Sequence, residues 1–299
     1  MSSQETLFAQ VHSQRGRHKN GLVQPFLKWA GGKRQLLTEI RKYIPRRYNI
    51  YFEPFVGAGA VLFDKQPSIA IINDVNAELI NCYRVIKSDP EALIAAVAEH
   101  QITSDYFYRL RKVDRDPEFA HLSPVERAAR IIFLNKTCYN GLFRVNRQGQ
   151  FNAPFGNYKN PQIINASVIK AIHNYFAQAQ IELTNYDFAL ALSGVERDDF
   201  VYLDPPYDPV SDTASFTGYN LERFDRAEQL RLKEVCDDLT EQGAKVLLSN
   251  SATDFIRALY GDARRYTIVE VEASRNINSV GTGRGKVNEL LIYNNYNVS

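Results

Sequence analysis

Three features of the sequence predict an α/β fold. Short runs of β type, Ile50-Tyr51-Phe52-Glu53, Ile69-Ala70-Ile71-Ile72, Ile181-Glu182-Leu183-Thr184 and Phe200-Val201-Tyr202-Leu203, alternate with helical periodicities. The first run breaks into Gly57-Ala58-Gly59 and then the helix-like Ala60-Val61-Leu62-Phe63, the strand, turn and helix of a nucleotide-binding loop. From 76 to 135 the pattern is helical with no clear strand, which does not suit simple alternation and reads as an insertion. The expectation is a Rossmann-like sheet with helices on both faces, made of residues 23–75 and 165–299, and an inserted, mainly helical subdomain over 76–164. Residues 1–22, polar, basic and without periodicity, read as a mobile arm, either contacting a polyanion or without a role.

The totals narrow the class. The chain has 299 residues, 44% apolar and 23% charged, as a globular protein with one large core requires. No apolar run approaches a membrane span and the N-terminus lacks a signal-peptide pattern, so no membrane is expected. Cys82, Cys138 and Cys236 are odd in number and share no ligand spacing, which argues against disulfides and a metal site and for a reduced, cytoplasmic setting. The net charge of +2 conceals an asymmetry. Residues 1–47 carry ten Lys/Arg against Glu5 and Glu39, and 136–159 carry Lys136, Arg144, Arg147 and Lys159 with no acid, whereas 187–241 is acidic. A basic face on a near-neutral chain suits a polyanionic partner, with a solvated charged surface as the alternative.

In chain order, Pro25-Phe26-Leu27-Lys28-Trp29-Ala30-Gly31-Gly32-Lys33 comes before the helical pattern Leu36, Leu37, Ile40. Its glycines let backbone donors approach a ligand, and Lys33 lies near a helix start. The spacing is not that of a P-loop. Trp29 is the only tryptophan and reads as core or as a ligand contact. The Gly57-Ala58-Gly59 turn lacks the third glycine of the dinucleotide fingerprint. The next strand, however, ends at Asn73-Asp74, where a carboxylate can accept two ribose hydroxyls. Strand, turn, second strand and acid together predict a nucleotide-type cofactor site.

Ser123-Pro124-Val125-Glu126 is a capping box with proline at the first helical position. Then comes Tyr139-Asn140-Gly141-Leu142-Phe143-Arg144, in a stretch rich in Asn, Gly, Arg and aromatics. Arg is shaped to take the two major-groove acceptors of guanine, and Tyr139 and Leu142 could wedge beside bases. A surface loop over a small hydrophobic cluster is the other reading. Alternation resumes with a helix over 165–178, the 181–184 strand, Asn185-Tyr186-Asp187-Phe188 and the 200–203 strand. A polar loop, 208–224, holds Phe216-Thr217 and Tyr219. Asp225-Arg226-Ala227-Glu228 then caps a helix, and strands at 245–249, 265–272 and 287–293 complete the sheet, with a basic glycine-rich loop at 275–286.

The 200–203 run ends in Asp204-Pro205-Pro206-Tyr207. Each proline removes a backbone donor, so the strand cannot continue in the centre of a sheet. The acid is left at a strand's carboxyl end, where open α/β sheets bind ligands. A fixed acceptor, stiffened carbonyls and the flat ring of Tyr207 make a pocket for a planar amine; an ordinary turn with a solvated Asp is the alternative.

These motifs, in this order, resemble the Dam-type DNA adenine-N6 methyltransferases, which depend on S-adenosylmethionine and act at GATC. The resemblance covers roughly residues 24–295. It implies a Rossmann-like methyltransferase sheet with a target-recognition insertion, double-stranded DNA as partner and no metal. It assigns Trp29, Lys33, Glu53, Phe55, Gly57, Gly59, Asp74, Asp187 and Asp204 to the cofactor, and Asp204, Pro205, Pro206 and Tyr207 to catalysis. Lys28, Tyr139, Asn140, Leu142, Arg144 and Pro154 are assigned to DNA, and Phe216-Thr217 and Tyr219 to a loop closing near an extruded adenine. Asn157 departs from the pattern, standing where a relative carries a basic residue. The rival readings are a restriction-modification adenine methyltransferase of another recognition sequence, methylation of cytosine N4, RNA or protein glutamine, and a DNA-binding regulator with a dead site. A nicotinamide oxidoreductase is disfavoured by the missing third glycine.

Overall fold

The computed structural model describes residues 19–29, 31, 33–146, 148–210, 224–274 and 286–298. Residues 1–18 of the basic arm, Ala30, Gly32, Arg147, the loop with Phe216-Thr217 and Tyr219, and 275–285 of the glycine-rich loop lie outside the described residues.

After a short 3-10 turn at Lys33–Gln35, the elements run α1 (Leu37–Tyr43), β1 (Tyr51–Glu53), α2 (Ala60–Lys65), β2 (Ile69–Asn73), α3 (Ala77–Ser88), α4 (Pro90–Ala98), α5 (Ser104–Lys112) and α6 (Pro124–Thr137). They continue with α7 (Ala166–Gln178), β3 (Gln180–Thr184), α8 (Phe188–Ala191), β4 (Phe200–Leu203), α9 (Arg226–Gln242), β5 (Lys245–Ser251), α10 (Asp254–Leu259), β6 (Thr267–Ser274) and β7 (Lys286–Tyr293). Local chemistry sets several boundaries. The Asn76 side chain accepts from the Leu79 amide to start α3, and Ser123 and Glu126 form a reciprocal capping box on α6. Gly243, left-handed at φ 88°, ends α9.

The strands form one sheet in the order β3-β2-β1-β4-β5-β7-β6. The first five are parallel, and β7 is antiparallel between β5 and β6. Successive side chains of a strand face opposite sides, and the core divides accordingly. Tyr51, Phe200 and Tyr202 join one hydrophobic cluster, with α3, α6 and α7; Phe52, Val201 and Leu203 join another, with α8, α9 and α10. Helices therefore cover both faces, as the sequence predicts. β4 is buried along its whole length because strands flank it and helices cover it on both sides.

Leu79, Ile80, Leu93 and Ile132 share the first cluster with β1 and β2, so α3, α4 and α6 join the core on that face of the sheet. A satellite cluster of Phe107, Phe133, Leu134, Cys138, Phe151 and Ala153 stands apart, beneath residues 138–155. The strand order reverses between β1 and β4, and the carboxyl ends of these neighbours carry Glu53 and Asp204 into one crevice.

Candidate active site

Beyond Leu203, the two prolines turn the chain out of the sheet and leave Asp204 at the crevice. Lys33 Nζ lies 2.9 Å from Asp204 Oδ1, donates to the Gly31 carbonyl at 2.7 Å, and sits 4.5 Å from the centroid of the Tyr207 ring. Lys33 is 5% exposed and Asp204 20%, so the pair is sheltered yet open on one side. Burial pushes the Asp204 carboxyl up to about 6; Lys33 pulls against that shift, and Glu289 adds to it.

The corner is tied from below. Gln229 Nε2 donates to the Pro206 carbonyl at 2.8 Å and is itself held by Asn250 Nδ2 at 3.0 Å. The Tyr207 hydroxyl donates to Glu289 at 2.7 Å. Gln229 and Asn250 are fully buried, so both amides must be satisfied by one another and by the corner backbone.

The glycine turn lies across the crevice. Gly57 and Gly59 take φ of 49° and 71°, left-handed values that glycine adopts without strain. At Gly57 the close approach also matters, because a Cβ there would lie 2.9 Å from the Trp29 ring. The Gly57 amide donates to Asp74 Oδ2 at 3.1 Å, and the Asn76 amide to Asp74 Oδ1 at 2.9 Å. Burial nonetheless pushes Asp74 up to about 6. Glu53, 2% exposed, receives the Tyr51 hydroxyl at 2.7 Å, and burial raises it to about 8. Among the described residues, the ion pair of Lys33 with Asp204 is the only one to these three carboxyls. Glu53 keeps its proton near neutral pH, but Asp74 and Asp204 against Lys33 alone leave the crevice with one more negative than positive group, which suits a ligand bearing positive charge.

Two residues assigned to the cofactor have other partners. Asp187 caps α8 and pairs through both oxygens with Arg231 at 2.8 and 2.7 Å, which holds its carboxyl below the usual range. Phe55 packs against Phe188 and Phe224, with centroids 5.4 and 5.7 Å apart.

Residues 138–155 fold back as a hairpin, bridged at Cys138 to Phe155 and at Val145 to Phe151. The Tyr139 amide donates to the Pro154 carbonyl at 2.8 Å. Asn135, fully buried on α6, accepts from the Lys28 amide at 2.9 Å and donates to the Lys28 carbonyl at 2.8 Å and the Gly141 carbonyl at 3.2 Å. Lys28 is therefore fixed against the hairpin, and a Cβ at Gly141 would overlap its side chain. Tyr139, Asn140, Arg144 and Pro154 are exposed on the same hairpin, with Leu142 half-buried. Arg144 donates from Nε to Asn152 Oδ1 at 2.7 Å and from Nη2 to the Asn152 carbonyl at 3.0 Å. Asn157 has φ 42°, a left-handed conformation that Asn tolerates better than a long basic side chain does.

A family model described as D12 class N6 adenine-specific DNA methyltransferase matches residues 29–277. The chain belongs to this family. It is 43% identical to the Type II methyltransferase M1.LlaDCHI of Lactococcus lactis subsp. cremoris, over 91% of this chain and 95% of that protein. It is 40% identical to the Type II methyltransferase M.MjaIII of Methanocaldococcus jannaschii, over 91% and 99%. To the DNA adenine methylase of Escherichia coli K12 it is 36% identical, over 89% and 93%. As a D12-class enzyme it methylates adenine N6 in DNA.

Within this methyltransferase, the structure also reveals supporting residues that the sequence left unassigned. Phe143 stacks on Trp29 with centroids 4.6 Å apart and so connects the hairpin to the glycine turn. Asn135 carried a usable signal, a lone amide directly after the apolar run Ile131–Leu134. Glu289, Gln229 and Asn250 carried none, because their contacts arise from strand pairing and helix packing distant in sequence. Among the described residues no helix is long and apolar enough to cross a membrane, and no group of three His, Cys, Asp or Glu is placed to hold a metal.

Proposed function

We propose that this DNA adenine methyltransferase takes its methyl group from S-adenosylmethionine and acts within GATC in duplex DNA, on an adenine extruded into the Asp204–Tyr207 corner. The observation that carries the reading is the 2.9 Å Lys33–Asp204 pair beside the Tyr207 ring, at the end of β4 where the strand order reverses. The unbalanced acid of the crevice supports a cationic cofactor. Asp74 would take the ribose, the Gly57–Gly59 backbone the amino-acid portion, and Trp29, Lys33, Glu53, Phe55, Asp187 and Asp204 the remaining contacts. When bound, S-adenosylmethionine supplies an electrophilic methyl group on a cationic sulfur.

The protein's own groups do the rest. Extruding a paired base costs a few kcal/mol, and stacking on an aromatic ring returns roughly 1–3 kcal/mol. Ionised Asp204 accepts a hydrogen bond from the exocyclic amine, worth about 1.5–3 kcal/mol, and the Pro205 carbonyl accepts a second. Asp204 then stabilises the positive charge that grows on nitrogen as the new bond forms, and holding both reactants in line supplies the larger share of the acceleration. Before the amine arrives, Lys33 balances the carboxylate. The unit that reads DNA is assigned within residues 76–164, with Lys28 joining it. Tyr139, Asn140, Leu142 and Arg144 reach the duplex, and Pro154 shapes the surface.

Base-resolution sequencing of genomic DNA from a methylation-free host expressing the chain tests this. N6-methyladenine confined to GATC is expected. Modification in another sequence would overturn the GATC assignment and favour a restriction-type specificity. Unmodified DNA with folded protein would leave a DNA-binding regulator.

A further inference from the structure

We propose that Glu289 is a positioning residue that keeps the Tyr207 hydroxyl proton turned away from Asp204, so that Asp204 is left to accept the target amine. The inference rests on the role given above to the Asp204 corner. A phenol has one proton to donate, and the Tyr207 hydroxyl stands beside two carboxylates: Glu289, which it bonds, and Asp204, whose carboxyl it lowers. It donates to Glu289 Oε2 at 2.7 Å. Burial, Asp204 and Glu289 all push the phenol well above its ordinary range, so it remains a donor throughout the working pH range. Were its proton given to Asp204 instead, it would occupy a lone pair that the substrate needs.

The anchor is well placed for this task. Glu289 lies on β7, whose backbone pairs on one side with Ser251 of β5 and on the other with Val271 of β6, so its carboxylate projects from a strand fixed on both edges. The charged and titratable groups around the pair are Lys33 over the Tyr207 ring, Asp204 and Tyr202 from the β4 side, and, beyond Asp204, the Glu53 carboxyl on β1, which Asp204 pushes up. Of these, Lys33 lowers the Asp204 carboxyl and Glu289 raises it. Glu289 therefore acts on Asp204 in two ways, by drawing off the hydroxyl and by its charge.

The test uses the full chain, duplex DNA of the sequence the wild type modifies, and a labelled methyl donor. Relevant variants are Glu289→Ala, Glu289→Gln, Tyr207→Phe and the Tyr207→Phe/Glu289→Ala pair. In Glu289→Ala the hydroxyl turns to Asp204, and kcat is expected to fall about tenfold, the worth of one hydrogen bond, with KM for DNA within about twofold of wild type. Removing that hydroxyl in the same background should return kcat to the level of Tyr207→Phe alone, a recovery that loss of packing would not give. Glu289→Gln keeps an acceptor but no charge, so it should lose less and move the acid limb of kcat to lower pH. Wild-type kcat in Glu289→Ala, or losses that simply add in the double variant, would overturn the inference. If Glu289→Ala does not fold, an unmoved acid limb in Glu289→Gln overturns it. A wild type inactive on every duplex would overturn the functional reading and this inference with it.

Discussion

At the Asp204 corner the charged groups are sheltered, whereas at the 138–155 hairpin they are exposed and the polar anchors are buried. Lys33 is 5% exposed and Asp204 20%; Tyr139 is 52% exposed, while Asn135 beneath it is fully buried. The difference fits the two tasks proposed for these regions, methyl transfer at the corner and DNA reading at the hairpin. Methyl transfer gains when charge is fixed in a poorly solvated place, because interactions there are strong and need no rearrangement. Reading DNA requires side chains that reach a partner across solvent, so here rigidity is supplied to the backbone, through Asn135 and the pairing of Tyr139 with Pro154. Trp29 stacked on Phe143 connects the two regions. Substitutions in the first region should therefore act on kcat and its pH dependence, and those in the second on sequence choice and salt dependence.

The largest expected effect is at the corner. Asp204→Ala should lower kcat by at least roughly 10²–10³-fold, the loss found when one preorganised electrostatic group is removed from an active site. Duplex binding, measured by anisotropy, should survive. Wild-type turnover in this variant would remove the corner from the chemistry; loss of DNA binding would show that the two regions are not separable.

Arg144→Ala should relax discrimination at one base pair by about 1–3 kcal/mol and leave kcat on saturating DNA unchanged. Competition between duplexes differing at single positions measures this. Equal weakening for every sequence would make Arg144 a phosphate contact, and the slope of log K against log salt would then fall by about one.

What was legible in the sequence follows the same division. The corner could be read because prolines cannot continue a central strand, and the α6 start because a capping box is local chemistry. The glycine turn could be read for the same reason. The Lys33–Asp204 pair could not, since nothing in either segment specifies that they meet; the order of β1 and β4 does that. Glu289 was hidden because β7 inserts between β5 and β6, a pairing that no local pattern encodes. Asp187 was assigned to the cofactor, while its place as the cap of α8 and its bond to Arg231 depend on local turn geometry and on where α9 docks. The hairpin's exposed tips stood out by composition; of their anchors, Asn135 carried only the signal of a lone amide beside an apolar run, and Asn152 read as an ordinary polar residue.

The buried acid also has a consequence for stability. Glu53 ionises near 8 in the folded protein and in the ordinary carboxyl range when unfolded. Between those values the folded state holds a proton that the unfolded state has lost, so stability falls as pH rises through this window. Asp74 and Asp204, raised to about 6, act in the same direction only up to that pH. Between pH 6 and 8 the ligand-free protein should lose on the order of 1 kcal/mol per pH unit through Glu53. Glu53→Gln should flatten that part of the slope in urea titrations. An unchanged slope would mean that Glu53 is solvated, and the contrast between a dry corner and a wet hairpin would lose its main support.

The smallest effect is expected from Asn152→Ala, which tests whether the hairpin works through backbone rigidity. The substitution removes the side-chain acceptor of Arg144 Nε, but the Asn152 carbonyl still receives Nη2 and the Asn152 amide still donates to the Arg144 carbonyl. Two of the three bonds persist, so the hairpin keeps its shape and the guanidinium gains some freedom. Discrimination should weaken by less than about 1 kcal/mol, within the net worth of one hydrogen bond, and at the same base pair that Arg144→Ala affects. The kcat on saturating DNA and its acid limb should both stay at wild-type values, because no bond of Asn152 reaches the corner. A fall in kcat would mean that strain in the hairpin passes through Phe143 and Trp29 to the glycine turn, making recognition and chemistry parts of one device.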